Sequence, residues 1–246
     1  MNQDIKVLKK LSEYELQGDS ISFQYDSFNL SDLKDYININ FNNKSEIEMI
    51  CGLLKFTFDN LIAGNQDYYK YQSNCNAITI LEDTKRNKIR SNCYMYSTVL
   101  TELLLSYNFK ARLIVCRPYN FYQNTDCHCM VHVFVESQNK WILVDPANCA
   151  MYRNINGEYI SIAELRQYII SEREYNIFGV SREYSQNIKK FLPQYMAVFF
   201  CFQNNGYNTY SNNSKNCINV LLPKCFKVKI KIDGVNISYC EKSFWK

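Results

Sequence analysis

Between residues 131 and 145 the chain spells out a β-hairpin. Val131 to Glu136 alternates, with Val131, Val133 and Val135 on one face and His132, Phe134 and Glu136 on the other. Ser137-Gln138-Asn139-Lys140 supplies a turn, and Trp141 to Asp145 returns as a second strand closed by Pro146. With the turn centred between Gln138 and Asn139, Glu136 faces Trp141 and His132 faces Asp145. Opposed residues on one face of an antiparallel pair have β-carbons about 4.5–5.5 Å apart, close enough for an imidazole–carboxylate hydrogen bond. A one-residue slip would send the two side chains to opposite faces, so the register predicts a His132–Asp145 pair sharply. In such a pair the carboxylate fixes the ring tautomer and steadies the imidazolium.

Only two histidines, His128 and His132, occur in 246 residues, so imidazole chemistry near neutral pH falls to one of them. His128 reads as part of a long loop over 117–130 with no acidic residue placed opposite it, which makes it the reserve base. A nucleophile to accompany the pair is Cys93, at the expected start of a helix and preceded by Ser91 and Asn92, either of which can cap it. A helix N-terminus favours an anion and lowers a thiol pKa, and the Cys93 backbone N–H would be placed to stabilise an oxyanion.

Elsewhere the punctuation is sparse, with seven Gly and four Pro, so Asn, Ser and Asp clusters mark the breaks. Ser45 with Glu48 forms a capping box for a helix over 45–62 whose apolar face is Ile47, Ile50, Leu53, Leu54, Phe58 and Leu61. Residues 63–90 read as an irregular, Tyr- and Asn-rich connection. The helix opening at Cys93 should end near Tyr107, with Asn108 taking the left-handed position. Ala111–Cys116 is a short strand, and Ser161 with Glu164 caps a third helix. Strands are expected at 195–203, 218–222, 226–232 and 235–240. The last two are joined by an Asp233-Gly234 turn that sets Ile232, Ile230 and Val228 opposite Val235, Ile237 and Tyr239. Helices followed by an antiparallel sheet make an α+β pattern. The expectation is a single domain over 1–246, with a core at about 45–170 and the C-terminal strands at 195–240 completing the sheet.

Composition narrows the function classes. A net charge of +4 with scattered Lys and Arg gives no basic footprint for nucleic acid. No apolar run approaches the roughly 20 residues of a membrane span, and the N-terminus lacks the apolar stretch of a secretory signal, so a cytoplasmic chain with reduced thiols is expected. Of the eleven cysteines no two are spaced CxxC, and Asp126-Cys127-His128-Cys129 crowds its donors too closely for paired zinc knuckles. Neither a metal nor a cofactor is expected.

Asn92-Cys93-Tyr94-Met95-Tyr96-Ser97, with Ala111-Arg112-Leu113 after the helix, resembles the core of the transglutaminase-like superfamily, in which a nucleophilic Cys opens a helix followed by a "G-I-x-A-R" strand entry. Val131-His132-Val133-Phe134-Val135-Glu136 with Trp141-Ile142-Leu143-Val144-Asp145-Pro146 is similar to that family's "H-x-W-x-E … W-x-x-x-D-P" signature. Arg90-Ser91-Asn92 stands where Gly often precedes the Cys, Asn108 where Gly is usual, and Phe134 where Trp is usual. The Arg-Gly-Gly approach of arylamine N-acetyltransferases is absent. The resemblance covers roughly 45–170. It implies a papain-like fold, N-terminal helices packed on an antiparallel sheet, and a Cys93–His132–Asp145 triad.

Such a site performs acyl transfer through an acyl-Cys93 thioester, resolved by water in a peptidase or amidase and by an amine in a transglutaminase or amide synthase. The expected partner is a peptide or acyl-thioester substrate, the latter in natural-product pathways carried on a carrier protein. The Tyr-rich loop 117–130 and segment 63–80 are the expected cleft walls, with Gln72, Asn74 or Asn76 as the second oxyanion donor. A non-catalytic binding module on the same fold is the contrasting expectation.

Overall fold

The chain caps its helices locally. Ser45 Oγ accepts from the Glu48 amide at 3.3 Å while Glu48 accepts from the Ser45 amide at 2.9 Å, and the same reciprocal box joins Ser161 and Glu164. Asn92 accepts from the Met95 amide at 3.1 Å and so opens the helix that begins at Cys93. The computed structural model describes every residue except 1, 20, 22, 24–29, 65–75, 204–217 and 227–232.

In chain order the described elements begin with α1 (Gln3–Lys10), α2 (Leu30–Ile37), α3 (Glu46–Asn60), β1 (Ile62–Ala63), α4 (Ala77–Asn87), β2 (Arg90–Ser91) and α5 (Cys93–Ser106). They continue with β3 (Ala111–Arg117), β4 (His128–Val135), β5 (Lys140–Asp145), β6 (Ala150–Arg153), α6 (Ile162–Ile170), β7 (Asn176–Phe178) and α7 (Arg182–Phe191). Last come β8 (Val198–Phe202), β9 (Ile218–Leu221), β10 (Val235–Ser238) and a short helix, Glu241–Phe244. The α+β architecture expected from the sequence is the one observed. Eight strands form one sheet in the order β10-β9-β8-β3-β4-β5-β6-β7, antiparallel except where β10 joins β9 parallel. Strands β1 and β2 form a small parallel pair.

The sheet divides two cores. Val131, Val133 and Val135 of β4 and Ile142 and Val144 of β5 face α2–α5, while Met130 and Leu143 face Ile162, Leu165, Ile188 and Phe244. The α5 helix is buried on every side from Met95 to Ser106, because α2, α3 and α4 cover the surface the sheet leaves. It ends with Tyr107 as its cap and Asn108 at φ 66°, in the left-handed position expected.

Two sequence expectations change, and a third lies outside the described residues. Residues 77–87 form a helix rather than part of an irregular connection, capped by Asn76, whose side chain accepts from the Thr79 amide at 2.9 Å, and anchored by buried Ala77, Ile80, Leu81 and Thr84. His128 opens a strand instead of ending a loop, because it pairs with Cys116 of β3. The strand expected at 226–232, with its pairing of Ile232 to Val235, falls largely outside the described residues. Elements α1, α2, α7, β6 and β7 have no equivalent in the sequence reading. No helix among the described residues is long and apolar enough to cross a membrane.

The burial of α5 sets a stability expectation. Leu100 is fully buried, whereas Phe58, assigned to the apolar face of α3 by its spacing, is 41% exposed. Leu100→Ala should cost about 2–5 kcal/mol of unfolding free energy in a urea titration. Phe58→Ala should cost about 1 kcal/mol or less. Equal losses would show that α5 is not the centre of the core.

Candidate active site

The β4–β5 connection decides which side chains meet. Glu136–Gln138 form a turn of 3-10 helix and Asn139 follows at φ 47°, so four residues enter the connection and Val135 pairs with Lys140. The turn is clasped from outside the hairpin, since the Glu46 carboxylate at the start of α3 accepts from the Glu136 amide at 3.0 Å and the Ser137 amide at 2.8 Å. Phe134, not Glu136, then faces Trp141, and His132 faces Leu143. The expected pairing of His132 with Asp145 is therefore corrected, its cross-strand partner moving by two residues to Leu143.

Both histidines lean along the same diagonal across the twisted pair. His132 reaches Trp141, two residues before its partner Leu143, and stacks on the indole with ring centroids 5.0 Å apart. His128 reaches Asp145 in the same sense, its Nε2 lying 2.8 Å from Asp145 Oδ2. Asp145 is fully buried. Its Oδ2 also accepts from Asn148 Nδ2 at 2.7 Å and the Tyr152 hydroxyl at 3.2 Å, and its Oδ1 accepts from the Asn148 amide at 3.3 Å. Tyr184 of α7 donates to Asn148 Oδ1 at 2.8 Å, a further link behind the carboxylate.

Cys93 brings the third group. Its half-buried thiol at the N-terminus of α5 lies 3.9 Å from the Cys127 carbonyl oxygen, with its sulfur within 4.8 Å of those of Cys127 and Cys129. Hydrogen bonds from Cys127 and Cys129, then the bond and charge of His128, hold the Cys93 pKa far below the ordinary thiol value against the cost of burial. Burial works against a charge on His128, but the Asp145 carboxylate and the Cys93 sulfur together push its pKa up to about 10. The two shifts favour a negative sulfur beside a positive ring whose Nε2 is engaged by Asp145. Phe191 meets the His128 ring edge-on at 5.6 Å and Tyr195 lies at 6.1 Å.

His132 is in a different chemical state. Arg112, its cross-strand partner, places Nη2 3.4 Å from His132 Nδ1 and donates to the Trp245 carbonyl at 3.0 Å, while its guanidinium lies over Trp141 at 4.1 Å. Burial, reinforced by the Arg112 charge, drives the His132 pKa well below its ordinary value. A neutral His132 accepts from Arg112, whose bond to the Trp245 carbonyl ties that segment to the sheet. Of the other expected site residues, Asn76 spends its side-chain oxygen on the α4 cap, and Gln72 and Asn74 lie outside the described residues. Asn148, Tyr152, Tyr184, Phe191 and Tyr195 were not picked out by the sequence reading. A buried carboxylate predicts extra donors, but nothing local identifies them. A cavity of ≈ 600 Å³ beside Asn148 and Tyr184 is lined by Cys51, Leu54, Phe58 and Met151 and by neither Cys93 nor His128.

Residues 40–146 match the model of the transglutaminase-like superfamily, a span that contains Cys93, His128 and Asp145. No curated protein matches the chain. Among solved structures, a "putative cysteine protease" from Cytophaga hutchinsonii aligns at 15% identity and a TM-score of 0.35, over 73% of this chain and 53% of that one. The match spans about half the length of that protein.

The neutral state of His132 has a measurable consequence. Above its ordinary pKa of 6.5 neither folded nor unfolded chain protonates it, but below that value the unfolded chain takes up a proton the folded chain refuses. Stability present above pH 6.5 is therefore lost as the pH falls, at up to about 1.4 kcal/mol per pH unit for this one group. His132→Phe keeps a ring against Trp141 without a titrating nitrogen, so its stability should fall less steeply between pH 6.5 and 5 in urea titrations. Parallel slopes for the two proteins would mean that His132 is protonated in the fold.

Proposed function

We propose that the transglutaminase-like domain over residues 40–146 performs cysteine-dependent acyl transfer with Cys93 as nucleophile, His128 as acid and base, and Asp145 as the residue that orients the ring. One observation carries this reading: the 2.8 Å contact of His128 Nε2 with buried Asp145, on a ring whose charge the Cys93 sulfur also favours. The match to a superfamily of cysteine enzymes supports it.

The Cys93 sulfur adds to the carbonyl carbon of an amide or thioester, forming a C–S bond and an oxyanion that the Cys93 backbone N–H, in the unsatisfied first turn of α5, can meet. Collapse of that adduct breaks the bond to the leaving nitrogen or sulfur, which takes the proton from His128 Nδ1. Water or an amine then attacks the acyl-Cys93 thioester, His128 takes back a proton from the attacking group, and the C–S bond breaks. Water gives hydrolysis, and an amine gives an amide. Acyl donors on carrier proteins are thioesters and enter by the same first step. His132 takes no part, being neutral and committed to Arg112.

The test uses simple N-acetylcysteamine thioesters and intact mass spectrometry on the full chain. Wild type should gain one acyl group, which Cys93→Ala should lack. His128→Ala should acylate about 10²–10⁴-fold more slowly, whereas His132→Phe should acylate within a few-fold of wild type. Faster loss of the acyl group in added amine than in water, with amide product, marks a transferase, and loss indifferent to amine marks a hydrolase. Acylation that survives Cys93→Ala, or that depends on His132 more than on His128, would overturn the assignment.

A further inference from the structure

The sulfur of Cys93 has two sulfur neighbours that form and break no bond in acyl transfer. The Sγ atoms of Cys93, Cys127 and Cys129 all lie within 4.8 Å of one another. Cys127 and Cys129 flank His128 at the start of β4, and Cys93 comes to them from α5. Cys129 is buried, while Cys93 and Cys127 are partly exposed, so the group has an opening to solvent on one side. The nearby acid, Asp126, is engaged elsewhere: its Oδ1 accepts from the Cys127 amide at 3.0 Å and its Oδ2 from the Tyr195 hydroxyl at 2.8 Å.

Three sulfurs converging on one point exceed what a disulfide uses, since a disulfide would join two and leave the third over. They match a tetrahedral soft cation. Zinc bonded to sulfur at about 2.3 Å sets its sulfurs about 3.8 Å apart, so these need to draw in by about 1 Å at most. An all-thiolate donor set selects zinc and its soft congeners over magnesium or calcium, which want oxygen. His128 stays outside the group because Asp145 holds its ring, and three protein ligands leave a fourth position open to water.

We propose that Cys93, Cys127 and Cys129 form a three-thiolate site for Zn²⁺ that reversibly caps the nucleophile. Binding forms three Zn–S bonds and releases thiol protons to solvent, with no change in the oxidation state of sulfur or metal. That binding silences the enzyme rests on Cys93 being the nucleophile, because a sulfur lone pair held by zinc cannot attack a carbonyl. The binding itself does not rest on that reading.

Titrating the reduced full-length protein with Co²⁺ reads binding directly. One Co²⁺ per chain should produce sulfur-to-cobalt charge-transfer absorption, and Zn²⁺ should displace it. Cys127→Ser, at the partly exposed position, and Cys93→Ser should each weaken binding by at least about tenfold, the least that loss of a mere outer-shell partner costs. Cys225→Ser, at an exposed cysteine outside the group, should leave binding unchanged. In wild type, Zn²⁺ should slow iodoacetamide modification of Cys93 and EDTA should restore it. Absence of the charge-transfer band, binding indifferent to Cys127→Ser, or restoration by reductant rather than EDTA would overturn the proposal. A cobalt spectrum without Cys93 acylation sinks only the catalytic reading, and acylation without a cobalt spectrum sinks only the zinc site.

Discussion

A carboxylate with no exposed surface must be ringed by donors, because an unpaired buried charge costs several kcal/mol. Asp145 meets that demand with four hydrogen bonds: one from His128 of β4, two from Asn148 after β5, and one from Tyr152 of β6. The carboxylate therefore pins three adjacent strands at the end of the sheet where α5 begins. Through Asn148 and Tyr184 the constraint extends to α7, and the segment that follows α7 sets Tyr195 against the His128 ring. Residues far apart in sequence are drawn to one ring because a single buried charge has to be satisfied.

The same strand carries a second histidine in the opposite state. His128 and His132 lie on one face of β4 and lean in one direction, yet one points at a carboxylate and the other at a guanidinium. The first is pulled toward the charged form and the second away from it. Arg112 makes this division possible. Its guanidinium is layered between Trp141, Phe23 and Trp245, at 4.1, 4.4 and 5.5 Å from the rings, and its charge is shared with the Trp245 carbonyl. A second imidazolium there would stand against the Arg112 charge, so this half of the strand serves packing and leaves proton transfer to the other.

The legible parts of the sequence were those fixed by near neighbours. The capping boxes at Ser45 and Ser161, the Asn92 cap and the left-handed Asn108 depend on residues three or four places away, and each is present as read. The hairpin was visible, but its register was not. Its turn is held by Glu46, 90 residues upstream of Glu136, and no reading of Ser137-Gln138-Asn139-Lys140 alone reveals that clasp. The shift keeps His132 and Asp145 on one face but moves the contact to the other histidine. His128 looked like a loop residue because its strand identity comes from Cys116, across the sheet. The α4 helix was hidden by its polar surroundings, although Asn76 followed by Ala77, Ile80, Leu81 and Thr84 is a cap and an apolar stripe.

The convergence on Cys93 imposes a choice on this one sulfur. A helix N-terminus favours any anion there, and donors from His128, Cys127 and Cys129 favour it further. As donors, the two neighbouring thiols stabilise a free thiolate. Stripped of their protons they become ligands, and a cation drawn to three sulfurs takes the very lone pair that would attack a carbonyl. The two arrangements need Cys127 and Cys129 in opposite protonation states and the same Cys93 lone pair, so they exclude one another. A nucleophile with a single imidazole beside it would have no such second state. The paired cysteines around His128 are what supply it, and they leave the His128–Asp145 contact intact in either state.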